Sequence, residues 1–174
     1  LDCPIDYDNL VAKGSMMGSG GMIVLVEDDC MVNIAKFYLE FTVEESCGKC
    51  TTCRVGNKRM LEILARITHG EGTLEEFAEL ERLANVIKDS SLCALGQSAP
   101  NPVLSTIANF KDEYLAHIVD KKCPAGACKK LVSYEVITEN CLGCGMCARN
   151  CPVNAITKSD KFGKNPKLNA YVID

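Results

Sequence analysis

The sequence predicts an α+β fold in which a helical bundle precedes a small unit of strands around a cysteine-rich loop. Two observations support this. Apolar residues recur at helical spacing between about residues 29 and 120, and short apolar runs flank a cysteine-rich segment after residue 130. A chain of 174 residues with 47% hydrophobic content can build one or two small domains.

Charge and hydropathy exclude several functions. Lys and Arg total 19 against 23 Asp and Glu, a net charge of -4 that argues against a nucleic-acid-binding surface. The longest apolar run, Met22 to Val26, is too short to cross a bilayer, which needs about 20 residues. The chain opens with no charged-then-apolar leader. We expect a cytoplasmic protein without a membrane span, and we expect further residues before Leu1 because the sequence opens within what reads as folded chain.

The first 29 residues read as loop and strand. Met22 to Val26 predicts a short buried strand at the edge of a larger unit, bounded by glycines and acids. The four glycines between residues 14 and 21 match neither a dinucleotide-binding fingerprint nor a P-loop. They therefore predict a glycine-rich turn.

Four amphipathic helices follow, each with apolar positions three or four residues apart. The positions are Met31, Ile34, Ala35 and Tyr38 in the first helix, Met60, Ile63, Leu64 and Ile67 in the second, Phe77, Leu80, Ala84 and Ile87 in the third, and Leu104, Ile107, Ala108, Tyr114 and Leu115 in the fourth. Short connections between such helices are typical of a small bundle.

Local signals mark the ends of these helices. Gly70 predicts the end of the second helix. Thr73 and Glu76 predict a capping box at the start of the third. Pro100 and Pro102 suit the first turn of the fourth.

The cysteines carry the chemistry. Six of the 12 cysteines form two groups with C-x2-C-x2-C spacing. The first group is Cys47, Cys50 and Cys53. The second is Cys141, Cys144 and Cys147, and it is followed by Cys151 and Pro152. Three thiolates two residues apart can wrap one iron-sulfur cluster, whereas disulfides need pairs of alpha carbons about 5.5 Å apart. Iron-sulfur clusters are therefore predicted, with structural zinc as the competitor at the first group.

Cys93 is the candidate fourth ligand of the first cluster. It lies between the third and fourth helices, 40 residues after Cys53, and the two connections meet if they lie at the same end of the bundle. The alternative for Cys93 is a buried small apolar residue.

The C-terminal part predicts a strand from Leu131 to Ile137, the cluster loop, a polar stretch from Lys158 to Lys167, and a strand from Ala170 to Ile173. The last strand reads as a second copy of the lead-in to Cys141. In a two-cluster ferredoxin the fourth Cys of each motif ligates the other cluster. We therefore expect the natural chain to continue with another such motif, the alternative being that Cys151 completes the cluster of Cys141, Cys144 and Cys147.

Several segments of the chain carry a family resemblance. Residues 45–56 (ESCGKCTTCRVG) and 91–96 (SLCALG) resemble the iron-sulfur bundle of the NADH-binding flavoprotein subunit of complex I, and residues 14–21 are similar to the loop that closes its flavin domain. Residues 123–128 (CPAGAC) and the ferredoxin-like module are similar to the beta subunits of soluble NAD(P)-linked, electron-bifurcating [FeFe]-hydrogenases and to NADP-reducing hydrogenase and formate dehydrogenase relatives.

The resemblance implies a domain order. Residues 1–29 would be the C-terminal edge of a flavin and NADH domain, 30–120 a [4Fe-4S]-binding helical bundle, 121–131 a hinge, and 132–174 an incomplete ferredoxin-like β/α module. It maps the ligands of the first cluster onto Cys47, Cys50, Cys53 and Cys93. FMN and NAD(H) would bind upstream of this sequence, so the fragment alone would not be catalytic.

The resemblance also implies a relay. Electrons would pass between the flavin and the clusters of a hydrogenase catalytic subunit in a multisubunit complex, with a small [2Fe-2S] thioredoxin-like subunit as neighbour and ferredoxin as redox partner. A formate dehydrogenase or complex I-type subunit is the alternative. A further alternative is a scaffold in which both cysteine triplets hold zinc.

A second kind of metal site is predicted at the hinge. Cys123 and Cys128 lie five residues apart around Pro124 and Gly126, and His117 lies six residues before Cys123. With Cys30 as third sulfur they form a Cys3His set, a recognised tetrahedral zinc site. The alternative is a packed histidine among core thiols, and Cys3 is expected to be a plain buried thiol.

Overall fold

The computed structural model describes residues 2–173, which form eight α-helices, two short 3-10 helices and one antiparallel two-stranded sheet. The helices are α1 (Tyr7–Ala12), α2 (Met31–Glu45), α3 (Thr51–Thr68), α4 (Leu74–Ser90), α5 (Ala94–Ser98), α6 (Asn101–Asn109), α7 (Lys111–Ile118) and α8 (Met146–Arg149), and the strands are β1 (Ile156–Phe162) and β2 (Asn169–Ile173). Helices α2, α3, α4, α6 and α7 contribute to one apolar core.

The segment before α2 differs from the prediction. The sequence did not reveal α1, which begins where the Asp6 carboxylate accepts a hydrogen bond of 2.8 Å from the backbone N–H of Asn9. The buried strand expected at Met22 to Val26 is wrong, because this run has no strand pairing and Met22 and Val24 are 79% and 80% exposed. A strand needs a neighbour to pair with, and residues 2–173 offer none to this run.

The three long helices α2, α3 and α4 form where the helical spacing of apolar residues predicts them. The predicted stripes of α3 and α4 are buried at every position, and Met31 and Ala35 of α2 are buried as expected. The buried face of α2 differs slightly from the predicted one. Val32 and Leu39 are fully buried, whereas Ile34, which was predicted to face the core, is half-buried. Burial of such stripes, about 25 cal/mol per Å² of apolar surface, supplies most of the stability of a small bundle.

The predicted helix ends also form. Thr73 Oγ1 accepts a hydrogen bond from the Glu76 backbone N–H, and the Glu76 carboxylate accepts one from the Thr73 N–H, which is a complete capping box. Gly70 follows α3 with a φ of +79°, a left-handed conformation that favours glycine.

The single fourth helix is wrong in detail, because the chain divides it into α6 and α7, and the additional helix α5 forms in the connection before it. Phe110 separates α6 from α7 with φ -133° and ψ 36°, outside the helical region. The break turns Tyr114 into the core, where its hydroxyl lies 2.8 Å from Thr106 Oγ1 and its ring lies 5.5 Å from Phe77. Ala108 of the predicted stripe is exposed, and Val103 takes its place in the core.

Residues 121–131 pack against the bundle. Cys123, Cys128 and Leu131 belong to the buried core, and Leu131 lies against Gly70 at the end of α3. The strand expected at Leu131 to Ile137 is wrong. A 3-10 helix (Lys129–Leu131) is followed by a stretch without strand pairing, in which Tyr134 is 79% exposed.

The C-terminal sheet uses a different first strand from the predicted one. β2 confirms the predicted strand at Ala170 to Ile173, but its partner β1 runs through the start of the stretch expected to be a polar excursion. The strands are antiparallel with Ile156 opposite Ile173, and a bulge lies between Lys158 and Phe162. This pairing follows from the short connection at residues 163–168, which returns the chain beside the strand that it has just left.

Among residues 2–173, we find no helix that combines the length and the apolar character needed to cross a bilayer.

Leu80→Ala tests the bundle core. Leu80 is fully buried on α4, so the substitution leaves a cavity and should lower the free energy of unfolding by about 2–5 kcal/mol. Urea unfolding of the metal-loaded chain, followed by circular dichroism without oxygen, measures the change. Leu74→Ala on the same helix is the control because Leu74 is 52% exposed; an equal loss in both variants would contradict the described core.

Candidate metal and iron-sulfur sites

The first cysteine triplet lies where α2 ends and α3 begins. Cys50 is the N-cap residue of α3, and Cys53 lies in its first turn with only 5% of its surface exposed. Gly48 turns the chain just before Cys50, with a φ of +82°. The Arg54 guanidinium lies against Gly48, because a Cβ added at this glycine would be 2.9 Å from Arg54 Nη2. A positive group therefore lies beside the triplet.

Two polar side chains contact the sulfur of Cys53. Asn57, one turn further along α3, lies with Nδ2 3.4 Å from Cys53 Sγ. Ser46, which ends α2, lies with Oγ 3.5 Å from the same sulfur. Sequence reasoning missed both, although Asn57 stands four residues after a candidate ligand, a spacing that places two side chains on one face of a helix.

The structure brings the Cys93 segment to the triplet. Cys93 is the N-cap residue of α5, and Gly96 of α5 approaches so closely that an added Cβ would lie 3.2 Å from Cys53 Cβ and 2.5 Å from Ser91. Cys93 is exposed, which contradicts the alternative of a buried apolar residue. Its role as the fourth ligand stays a prediction.

The second cysteine group lies on the loop before β1. The backbone N–H of Tyr171 on β2 donates to Cys141 Sγ at 3.4 Å, and the Tyr171 hydroxyl lies over Gly145, which has a φ of +70°. Cys144 and Cys147 are exposed. The pKa of the Cys151 thiol is lowered because the backbone N–H groups of Val153 and Ala155 donate to it, and its anionic form is therefore favoured.

A third group forms inside the bundle from four buried residues. The ligand atoms of Cys30, His117, Cys123 and Cys128 all lie within 4.8 Å of one another. His117 Nε2 lies 3.4 Å from both Cys30 Sγ and Cys128 Sγ, and the two sulfurs are 3.8 Å apart. Cys30 caps α2, and His117 lies in the last turn of α7, so the group joins elements 87 residues apart.

Hydrogen bonds determine the ionisation of this third group. Donation from Cys128 and from His117 lowers the pKa of Cys30. Burial opposes the charged form of His117, but its bonds to Cys30 and to the Glu113 carbonyl raise its pKa to about 9. The bond to Cys30 and burial raise the pKa of Cys128. The arrangement thus favours a Cys30 thiolate beside an imidazolium.

The orientation of His117 is fixed by its second nitrogen. Nδ1 lies 2.7 Å from the Glu113 carbonyl oxygen and donates to it, which leaves Nε2 facing the three sulfurs. A histidine bound to metal usually has such a partner. Cys3, by contrast, is exposed, so the expectation of a buried thiol there is wrong.

Two protein-family models match the regions that contain the two cysteine sets. Residues 33–117 match the NADH-ubiquinone oxidoreductase-F iron-sulfur binding region. Residues 134–157 match the 4Fe-4S binding domain. The first match spans α2 to α7 with Cys47, Cys50, Cys53 and Cys93, and the second contains Cys141 to Cys151.

Similar proteins are subunits of larger enzymes. The chain is 55% identical over 92% of its length to the NADP-reducing hydrogenase subunit HndC of Solidesulfovibrio fructosivorans, covering 33% of that protein. It is 40% identical over 71% of its length to an F-type subunit of the NADH-quinone oxidoreductase of Rhizobium meliloti, covering 30% of that protein. It thus spans about a third of the length of these relatives.

A solved structure shows the same likeness. An NAD+-reducing [NiFe]-hydrogenase in the H2-reduced state matches 55% of this chain and 16% of its own chain, with a TM-score of 0.53 and 32% identity. Residues 33–117 thus form an iron-sulfur binding region of the NADH-ubiquinone oxidoreductase F-like family, and residues 134–157 carry a 4Fe-4S binding domain.

Proposed function

We propose that the chain relays electrons between the flavin of an NAD(P)(H)-oxidising or -reducing subunit and the clusters of a hydrogenase. The observation that carries the proposal is the presence of two separate cysteine sets with 4Fe-4S spacing in one chain that is 55% identical to a subunit of an NADP-reducing hydrogenase. One set could accept electrons and the other pass them on.

Cys47, Cys50, Cys53 and Cys93 would hold the first [4Fe-4S] cluster. The donor set fits such a group because all four thiols are free of disulfides, as cluster ligation requires. The close approach of Gly96 to Cys53, which leaves no room for a Cβ, also supports the fit. When bound, the cluster supplies a one-electron carrier. The protein holds the thiolates, and Arg54 offsets negative charge beside them.

Cys141, Cys144 and Cys147 would hold three irons of a second [4Fe-4S] cluster. Tyr171 supports this because its backbone N–H reaches Cys141 Sγ, and N–H donors to ligand sulfurs are usual at such clusters. Cys151, whose anionic form is favoured, would either ligate a neighbouring cluster or complete this one.

Cys30, His117, Cys123 and Cys128 would hold zinc. In a tetrahedral site with Zn–S bonds of about 2.3 Å and Zn–N bonds of about 2.0–2.1 Å, neighbouring sulfurs lie about 3.8 Å apart and sulfur and nitrogen about 3.6 Å apart. The corresponding distances here are 3.8 Å and 3.4 Å. The zinc would join α2, α7 and residues 123–128 next to the ferredoxin-like part.

The likeness to a hydrogenase subunit supports a proposal about partners. We propose a cytoplasmic complex with a hydrogenase catalytic subunit, a small [2Fe-2S] thioredoxin-like subunit and ferredoxin as redox partner, with FMN and NAD(H) bound by other parts of the parent polypeptide. Electron bifurcation is part of this proposal. A complex I-type role is the second candidate because the chain is 40% identical to part of an NADH-quinone oxidoreductase subunit. A related formate dehydrogenase subunit remains the alternative that the sequence resemblance implies.

Cys93→Ser tests the first cluster. Anaerobically purified complex with this substitution should lose about four irons and four sulfides per chain, because the fourth thiolate is removed. Metal and acid-labile sulfide analysis measures the loss. Cys3→Ser is the control, since Cys3 is an exposed thiol outside every set. Unchanged iron in Cys93→Ser would remove Cys93 from the ligands, and zinc in place of iron throughout would leave the scaffold alternative.

His117→Ala tests the zinc site. The variant should lose about one zinc per chain while its iron content stays unchanged, because only the buried Cys3His set is broken. Loss of zinc should also lower the unfolding temperature, since bound metal stabilises the folded state. His69→Ala is the matched control because the chain has two histidines and His69 is exposed. Equal zinc in both variants would contradict the assignment.

A further inference from the structure

We propose that Asn57 is a positioning residue for the first cluster, donating a side-chain hydrogen bond to Cys53 Sγ that raises the reduction potential. The inference rests on the proposed function, in which Cys53 is a ligand. It adds a residue that does not bind iron and that lies outside the cysteine motif.

The burial of Asn57 demands an explanation. Its side chain is fully buried on α3, and burying an amide is unfavourable unless it is hydrogen-bonded. Within residues 2–173 its Oδ1 has no hydrogen-bond partner, and its Nδ2 contacts Cys53 Sγ at 3.4 Å. A thiolate sulfur only accepts hydrogen bonds, so the NH2 side of the amide must face it. The sulfur is therefore the acceptor that faces the Asn57 Nδ2–H group.

Ser46 approaches the same sulfur from the end of α2. Its hydroxyl lies 3.5 Å from Cys53 Sγ, and the residue is only 5% exposed. In the described part of the chain, side-chain donors of this kind reach Cys53 but none of Cys47, Cys50 or Cys93. Cys53 is thus the candidate ligand whose sulfur is contacted by side-chain hydrogen-bond donors.

The direction of the effect follows from charge. Reduction adds one negative charge to the cluster and its thiolates, and a hydrogen bond to a ligand sulfur stabilises that charge. Two buried donors at Cys53 therefore favour the reduced form. Because water is excluded from this side of the site, the bonds are stronger than at an exposed sulfur.

The test is a redox titration of the intact complex carrying Asn57→Leu, which keeps the branched shape of the side chain and removes the donor. The electron paramagnetic resonance signal of the first cluster is identified as the one lost in Cys93→Ser. We expect about a tenfold decrease in the equilibrium constant for its reduction, which is about 59 mV for a one-electron couple. The signals of the other clusters should keep their potentials.

Two further variants make the result specific. Ser46→Ala should shift the same signal in the same direction. Thr106→Val is the matched control, because Thr106 also forms a buried side-chain hydrogen bond, to Tyr114 at 2.8 Å, but contacts no candidate ligand sulfur.

Each outcome decides one claim. A cluster present in Asn57→Leu with an unshifted potential would overturn the inference and leave the proposed function intact. Absence of this cluster in the unsubstituted complex would overturn the proposed function itself. If Asn57→Leu loses iron, Ser46→Ala decides: an unshifted potential there would overturn the inference, and a lowered one would support it.

Discussion

The bundle depends on contacts between sulfur and nitrogen atoms that lie far apart in the sequence. Cys30 at the start of α2 meets His117 of α7 and Cys128 beyond it, all without access to water. Ionisable groups are buried at a cost unless they are paired or bind a metal. Their burial is therefore tied to one arrangement of α2, α7 and residues 123–128, and the chain continues from this arrangement to the second cysteine group.

The parts of the fold that sequence reasoning predicted are those governed by local periodicity. The stripes of α3 and α4 could be read because each residue's environment follows from its position on its own helix. The break at Phe110 could not, since neither glycine nor proline marks it. The strands failed for another reason: an apolar run such as Met22 to Val26 forms a strand only if a partner lies beside it. β1 was missed because its residues are mostly polar and exposed.

The candidate sites show the same division. Cysteine spacing marks ligand sets directly, because the cluster itself imposes the spacing. The grouping of Cys30 with His117, Cys123 and Cys128 was predicted from residue chemistry and one short motif, and the structure brings the four together. Asn57 and Ser46 escaped because asparagine and serine are common on surfaces and in caps. Only their burial against Cys53 distinguishes them.

The stretch between Leu131 and the second cysteine group determines how far that group can travel. Residues 132–137 form neither helix nor paired strand, and six residues span at most about 20 Å when fully extended. A carrier connected by so short a segment samples a small volume around its anchor, where its effective concentration is on the order of millimolar whatever the concentration of the protein. Dilution of the protein would then leave unchanged the rate at which the second cysteine group meets its anchor region in the same molecule. The rate at which it meets a carrier on a separate molecule would fall in proportion to the concentration of that carrier.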